Sequence, residues 1–244
     1  MKTLILIPSR LSATRLPGKP LLKINNLSII SHVFKKAKEA NIGDVVVATE
    51  DQEILDDIED NGGQAILTSK NHQTGTDRIY EAFKKLNKKD VDLIMNLQGD
   101  EPAINIEDII NLNKKMIDFK SEIGTLASKI EDQKIFENKN IVKVTTKDFL
   151  DKNKFPEANS FFRTTNININ TYQHIGIYCY TVQALEKFVK FKQTKNELQN
   201  KLEQLRALDN DIKINVALAN ASSIGVDTKE DYLALKKIME YKDK

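Results

Sequence analysis

Basic side chains able to grip phosphate are concentrated in the stretch 7–22, IPSRLSATRLPGKPLL. Arg10, Arg15 and Lys19 stand there beside the turn-forming pair Pro17-Gly18, directly after the apolar run Leu4-Ile5-Leu6-Ile7. An arginine fork reaches two phosphate oxygens at once, lysine brings a compact charge, and glycine lets backbone N–H groups approach an anion. Of 37 Lys and Arg only five are Arg, at positions 10, 15, 78, 163 and 206, and two of the five fall in this loop. Where lysine is the default cation, each arginine marks a place where fork geometry matters. A solvated basic loop is the ordinary alternative, because basic loops are common.

Three further clusters could do chemistry beside it. In Asn96-Leu97-Gln98-Gly99-Asp100-Glu101-Pro102 a carboxylate stands next to glycine where an apolar run stops, which suits a Mg²⁺ ion carrying substrate phosphates. Mg²⁺ usually takes one or two carboxylates, and Gly225-Val226-Asp227-Thr228 offers a second. Taken singly, Gly-Asp is a common turn and Asp227 could cap the following helix. His72-Gln73-Thr74-Gly75-Thr76-Asp77-Arg78 opens a helix whose free N–H groups and hydroxyls suit a base, a ribose or a phosphate oxygen; a plain cap by Thr74 or Thr76 is the alternative. In His174-Ile175-Gly176-Ile177-Tyr178 the histidine is a substrate contact or a packed core residue. Three histidines and one cysteine make no familiar zinc spacing. Gly18, Gly75, Gly99, Gly176 and Gly225 of the nine glycines lie in these clusters, as do four of the five prolines, so constrained backbone accompanies the polar groups.

The elements needed to position them follow from apolar patterning. Strands are expected at residues 3–7, 45–48, 65–67 and 93–97. Helices are expected at 29–40 with Ser28 as N-cap, through Ile54, Leu55 and Ile58 to a stop at Gly62-Gly63, and at 77–86. Continuous apolar strands separated by helices imply an α/β fold whose parallel sheet is covered on both faces, with ligands at the carboxyl ends of the strands, where the basic loop falls. Past Phe119 the pattern loosens: strands at 126–130, 142–146 and 175–180 are separated by the polar stretches 131–140 and 147–159. This region, about 125–195, reads as a lobe of the same domain carrying a subunit contact. One helix through Leu198, Leu202, Leu205 and Leu208, a strand at 212–218 and a helix at 229–241 close a single domain, 1–244, with no linker or repeat.

Composition narrows the classes. A length of 244 residues suits one large α/β domain or two small ones. A net charge of +2 argues against a surface that wraps nucleic acid. The single cysteine, Cys179, excludes an internal disulfide and fits a reducing compartment. No apolar run approaches the roughly 18 residues of a membrane span, and the N-terminal run ends at Pro8, too short for a secretion signal. A soluble cytoplasmic protein is expected.

Read in order, IPSRLSATRLPGKPL, VATED at 47–51, HQTGTDR at 72–78, NLQGDEP at 96–102, HIGIY at 174–178, LEQLR at 202–206 and GVDTKED at 225–231 closely resemble the 3-deoxy-manno-octulosonate (Kdo) cytidylyltransferases, over essentially the whole chain. The first loop together with NLQGDEP is highly specific. The resemblance implies a Rossmann-like fold of the nucleotide-diphospho-sugar transferase type, with a mixed, mainly parallel sheet and a smaller dimerisation lobe. It also implies a homodimer and Mg²⁺-dependent transfer of CMP from CTP to the anomeric hydroxyl of Kdo, for lipopolysaccharide inner core. By the same resemblance Arg10 and Lys19 bind the triphosphate, and Asp100 and Asp227 hold the metal. Arg15, Thr74, Gly75, Thr76, Arg78 and Gln98 lie along the substrates, with His174, Tyr178, Glu203 and Gln204 on the sugar side. The Kdo carboxylate needs a cation, and Arg163 is the candidate.

The chain departs from the family on the sugar side. Ser160-Phe161-Phe162-Arg163-Thr164-Thr165-Asn166 lacks the proline that usually follows, and Gln173 stands where a basic residue usually precedes the histidine. These departures leave a related keto-acid sugar, such as 8-amino-8-deoxy-Kdo, as an alternative acceptor. Further alternatives are a non-catalytic nucleotide-binding protein and a dinucleotide oxidoreductase, the latter disfavoured because no G-x-G-x-x-G follows the first strand.

Overall fold

A computed structural model describes residues 1–12, 15–164, 169–220 and 225–242. Ala13-Thr14 of the basic loop and residues 165–168 of the sugar-side stretch therefore lie outside the described residues. The first half of the chain runs β1 (Thr3–Ser9), a 3₁₀ turn (Lys19–Leu21), the hairpin β2 (Lys23–Ile24) and β3 (Leu27–Ser28), α1 (Ile29–Glu39), β4 (Gly43–Thr49) and α2 (Gln52–Asp60). It continues with β5 (Ala65–Leu67), α3 (Gly75–Leu86), β6 (Leu93–Asn96) and α4 (Ile106–Phe119). Then follow β7 (Ile123–Ser128), α5 (Gln133–Glu137), β8 (Lys143–Thr146), β9 (Ala158–Phe162) and β10 (Thr171–Thr181). The chain closes with α6 (Val182–Phe188), α7 (Lys195–Asn200), α8 (Leu205–Leu208), β11 (Ile214–Leu218) and α9 (Lys229–Lys242).

These elements form two compact units. One comprises Lys2–Val91, Met95–Ile106 and Ser223–Lys244. In it β4 pairs in parallel with β1 and β5. The run Leu4 to Ile7 is wholly buried, as a strand covered on both faces must be. Strand β4 lies so close to β1 that a Cβ on Gly43 would sit 1.9 Å from the Thr3 carbonyl oxygen, so no side chain fits there. Helix α1 buries Ile29, Ile30, Val33, Phe34 and Ala37 on one face, and the Ser28 hydroxyl caps it by accepting the Ser31 N–H at 3.1 Å. Helix α2 stops at Gly62, whose φ of +75° suits glycine.

The other unit comprises Asp92–Ile94 and Glu107–Ser222, with Met1. Here β7 pairs in parallel with β11 and antiparallel with β10, and β10 and β9 both pair antiparallel with β8. The sheet is therefore mixed, with its parallel pairs where helices alternate with strands. Two expectations are corrected in this unit. The polar stretch 147–159 runs into a strand, β9, which carries buried Ala158 and Phe161. The single helix through Leu198 to Leu208 is two helices broken at Lys201, which takes φ +53°. Helix α7 has its own capping box between Thr194 and Glu197, and Leu198 is 56% exposed, so the leucine repeat is not one buried stripe.

Candidate functional site

The described ends of the basic loop are pinned by hydrogen bonds. It leaves β1 at Ser9, the Leu11 N–H donates to the Asp51 carboxylate at 2.7 Å, and the Gly18 N–H closes back on the Leu11 carbonyl at 3.1 Å. Asp51 stands at the N-cap position of α2 but makes no capping bond with its side chain, which holds the loop instead. Gly18 takes φ +70°, the left-handed conformation the turn requires. Pro20 then fits the first turn of the 3₁₀ segment, where its missing N–H costs nothing. The outcome is that Lys19 turns inward, only 9% exposed, while Arg10 and Arg15 stay exposed.

Lys19 ends between two carboxylates. Its ammonium lies 2.6 Å from Asp100 and 3.7 Å from Asp227, and donates to the Val226 carbonyl at 2.6 Å. The two acidic segments are joined directly, because the Val226 N–H donates to the Asp100 carbonyl at 2.9 Å. Val226 is itself fixed in an apolar cluster with Ile24, Ile29 and Leu235. Asp227 does not cap α9. That task falls to Thr228 and Asp231, whose side chains each accept the other's N–H, leaving Asp227 to meet Arg15 at 3.0 Å. Gly99, beside Asp100, passes against the end of β1, where a Cβ would come within 2.9 Å of the Pro8 carbonyl oxygen.

Arg10, Arg15, Lys19, Thr74, Gly75, Arg78, Gln98, Asp100 and Asp227 line one cavity of about 370 Å³, all within the first unit. The two lining arginines of the loop are exposed. Arg78 is buried, paired with Glu50 and donating to the Thr68 hydroxyl at 2.7 Å and the Ser69 carbonyl at 3.3 Å. Thr74 caps α3, accepting the Asp77 N–H at 3.2 Å, whereas Thr76 is buried and is not part of the cavity wall. Ser9 and His72 are also in the wall; the buried Ser9 hydroxyl has no hydrogen-bond partner among the described residues, and His72 pairs with Glu81. Burial works to raise the Glu81 pKa, but hydrogen bonds from Lys85, the Ser69 N–H and His72 outweigh it and leave it at about 2.

The remaining sugar-side candidates lie in the second unit. His174 packs edge-on to Phe161 at 5.1 Å and against Tyr178 at 5.5 Å, with its Nε2 3.0 Å from the Thr125 hydroxyl. Burial pushes this imidazole down to about pKa 3, so it is neutral. Tyr178 is held protonated by burial, with the nearby Tyr180 and Glu203 adding to the effect. Glu203 also stands 3.9 Å from Arg206, which forks onto Glu197 and lies 4.7 Å from the centre of the Phe188 ring. Arg163 and Gln204 complete this group; among the described residues Arg163 donates to backbone carbonyls, and Gln204 leads into α8 with no side-chain cap bond.

Two half-buried carboxylates converging on one ammonium present hard oxygen donors, the donor type that Mg²⁺ prefers. Among the described residues no group of three or more His, Cys, Asp or Glu forms a metal cluster. Mg²⁺ in turn usually fills its shell with substrate phosphate and water, so two carboxylates suffice.

Comparison with known proteins agrees with this chemistry. Residues 4–214 match the family described as Cytidylyltransferase. A 3-deoxy-manno-octulosonate cytidylyltransferase of Thermodesulfovibrio yellowstonii is 42% identical, with 98% of each chain covered. One from Rhodopseudomonas palustris (strain BisB18) is 40% identical over the same shares. A solved CMP:2-keto-3-deoxy-manno-octonic acid synthetase complexed with CTP superposes with a TM-score of 0.90 at 31% identity, over 99% of this chain and 100% of that one. A UDP-glucose pyrophosphorylase complexed with UDP-glucose shares the fold, at a TM-score of 0.76 and 15% identity over the full length of both chains. The chain belongs to the cytidylyltransferase family, and within it stands with the 3-deoxy-manno-octulosonate cytidylyltransferases.

Proposed function

We propose that the chain transfers CMP from CTP to the anomeric hydroxyl of 3-deoxy-manno-octulosonate, releasing pyrophosphate. The observation that carries this reading is the Lys19 ammonium bracketed by Asp100 and Asp227 in a cavity that also presents Arg10 and Arg15. Four lining cations stand against two lining carboxylates, and Glu50 neutralises one of the four, Arg78. That balance suits a polyanion accompanied by a divalent ion.

The chain's own groups have distinct tasks in this reaction. Arg10 and Arg15, exposed and unconstrained by burial, close on the triphosphate oxygens as bidentate donors. Lys19 offsets the charge that develops on the bridging oxygen as pyrophosphate departs, a role that suits a group already fixed in place. Thr74, Gly75 and Gln98 lie along the nucleotide. Asp100 and Asp227 would hold Mg²⁺, which when bound neutralises phosphate charge and acidifies the sugar hydroxyl. Arg163 engages the carboxylate of the sugar acid, with neutral His174, protonated Tyr178, Glu203 and Gln204 as further contacts. The resemblance also supports a homodimer acting in the cytoplasm in lipopolysaccharide inner-core synthesis, and the buried free thiol of Cys179 is compatible with a reducing compartment.

Pyrophosphate release from CTP and Kdo across a MgCl₂ titration tests the reading. Release should require all three, and Asp100→Asn and Asp227→Asn should each lower it by roughly 10²-fold or more and raise the Mg²⁺ concentration needed. CTP binding without turnover on Kdo would leave a non-catalytic nucleotide-binding protein.

A further inference from the structure

Lys143 opens β8 and is fully buried. Its ammonium donates to the Asn138 carbonyl at 2.7 Å and to the Arg163 carbonyl at 2.9 Å. Both partners are neutral, and burial together with the charge of Arg163 pushes the ammonium pKa down. An ammonium buried against carbonyls alone is costly, so whatever it holds in place has to matter to the fold or to the function.

What it holds is the main chain at Arg163. The guanidinium of that residue is held differently. Nε donates to Asn200 at 3.3 Å, Nη1 to Lys139 at 3.2 Å and Asn140 at 3.5 Å, and Nη2 to Lys201 at 3.4 Å, all through backbone carbonyls. Every one of these bonds is longer than the roughly 2.7–2.9 Å of a guanidinium on a carboxylate. The base of the arginine is therefore pinned by a short, buried bond, while its half-buried head rests on long, exchangeable ones. Two cations share this corner of the second unit and each partner they have among the described residues is a carbonyl, an arrangement that attracts an anion.

We propose that Lys143 is a positioning residue for Arg163: it fixes the Arg163 main chain while the guanidinium exchanges its carbonyl bonds for the carboxylate of the acceptor sugar. The inference rests on the reading of Arg163 as the partner of that carboxylate. It differs from a purely structural brace in what a substitution does. A brace, when removed, loosens the unit and spares substrate recognition. A positioning residue, when removed, weakens recognition of the sugar acid selectively.

The test compares Lys143→Met, Lys143→Gln, Arg163→Lys and the double variant Lys143→Met/Arg163→Lys, measuring KM for Kdo, KM for CTP and the thermal midpoint of each. Lys143→Met should raise KM for Kdo by roughly tenfold or more and leave KM for CTP within about twofold, with Lys143→Gln, which keeps a donor, in between. Because both residues act on one group, the double variant should be no more than about twofold worse than Arg163→Lys alone. An unchanged KM for Kdo, a parallel rise in both KM values, or effects that multiply in the double variant would each overturn the proposal. If Lys143→Met does not fold, Lys143→Gln is judged by the same criteria, and failure of both to fold assigns Lys143 to stability instead. Absence of turnover by the unsubstituted enzyme with Kdo would refute the functional reading itself, and is told apart by that control.

Discussion

Replacing Lys19 by methionine separates what this side chain does for the fold from what it does for the reaction. In the folded protein the ammonium makes a short contact to Asp100 at 2.6 Å, a hydrogen bond to Val226 at 2.6 Å and a longer approach to Asp227 at 3.7 Å. A hydrogen bond to a charged group is worth about 1.5–3 kcal/mol. Part of that is returned because an ammonium no longer has to be buried, and Asp100, 34% exposed at its side chain, can recover water. The net loss is about 1–2 kcal/mol, which for a chain of this size lowers the melting temperature by about 2–8 °C. The loss in catalysis is larger, because a preorganised cation at the developing charge is worth about 10²–10³ in kcat. Circular-dichroism melts and continuous pyrophosphate release, both at saturating Mg²⁺ and CTP, measure the two effects on the same preparation. A third readout follows from the geometry. With no ammonium between Asp100 and Asp227, MgCl₂ alone should raise the melting temperature of Lys19→Met by more than it raises that of the unsubstituted enzyme. A kcat within about fivefold of the starting enzyme, below the range expected for a preorganised donor, would refute the assignment of Lys19 to the transition state.

Two further outcomes are expected from the charges outside the cavity. Glu81 has a folded pKa of about 2 against an ordinary value of 4.5, so its share of stability is fully present above pH 4.5 and is lost as pH falls through 2. That share is at most about 3 kcal/mol, and in urea melts between pH 7 and 2 the variant Glu81→Gln should be less stable at neutral pH and fall less steeply in acid; parallel curves would contradict it. Arg206→Met should destabilise by about 3–5 kcal/mol, because it strands the buried Glu197, and Glu197→Met added to it should restore most of the loss. If the second substitution makes matters worse, the fork is a net source of stability and the argument from uncompensated charge fails.

The parts of this structure that could be read from the residues are those with a local signature. The buried run of β1 and the one-sided apolar face of α1 with its serine cap are written in a few adjacent positions. So is the turn at Pro17-Gly18 that precedes Lys19. The scarcity of arginine was a guide to geometry but not to role. Arg10 and Arg15 stay open to the cavity, whereas Arg78 and Arg206 are spent on Glu50 and on the buried carboxylate Glu197. Nothing in the local pattern marks Glu50 or Glu197 as counter-ions, Asp51 as the anchor of the Leu11 amide, or Lys143 as the support under Arg163. These are pairings between distant segments, and only the fold creates them. The break at Lys201 was hidden for a related reason. Leucines at three- and four-residue spacing read as one stripe, but the chain breaks at Lys201 and the Arg206 fork onto Glu197 ties the second helix to the first.

The hydrogen bond from Val226 to the Asp100 carbonyl makes the cation bracket a joint product of two segments far apart in the chain. One carboxylate follows β6 and the other precedes α9, so the bracket around Lys19 exists only when these two distant segments come together. A protein clipped ahead of Val226 would keep its strands and its arginines while losing Asp227 and the Val226 anchor together, so a single cut there would undo the cation bracket without removing any residue of the phosphate loop.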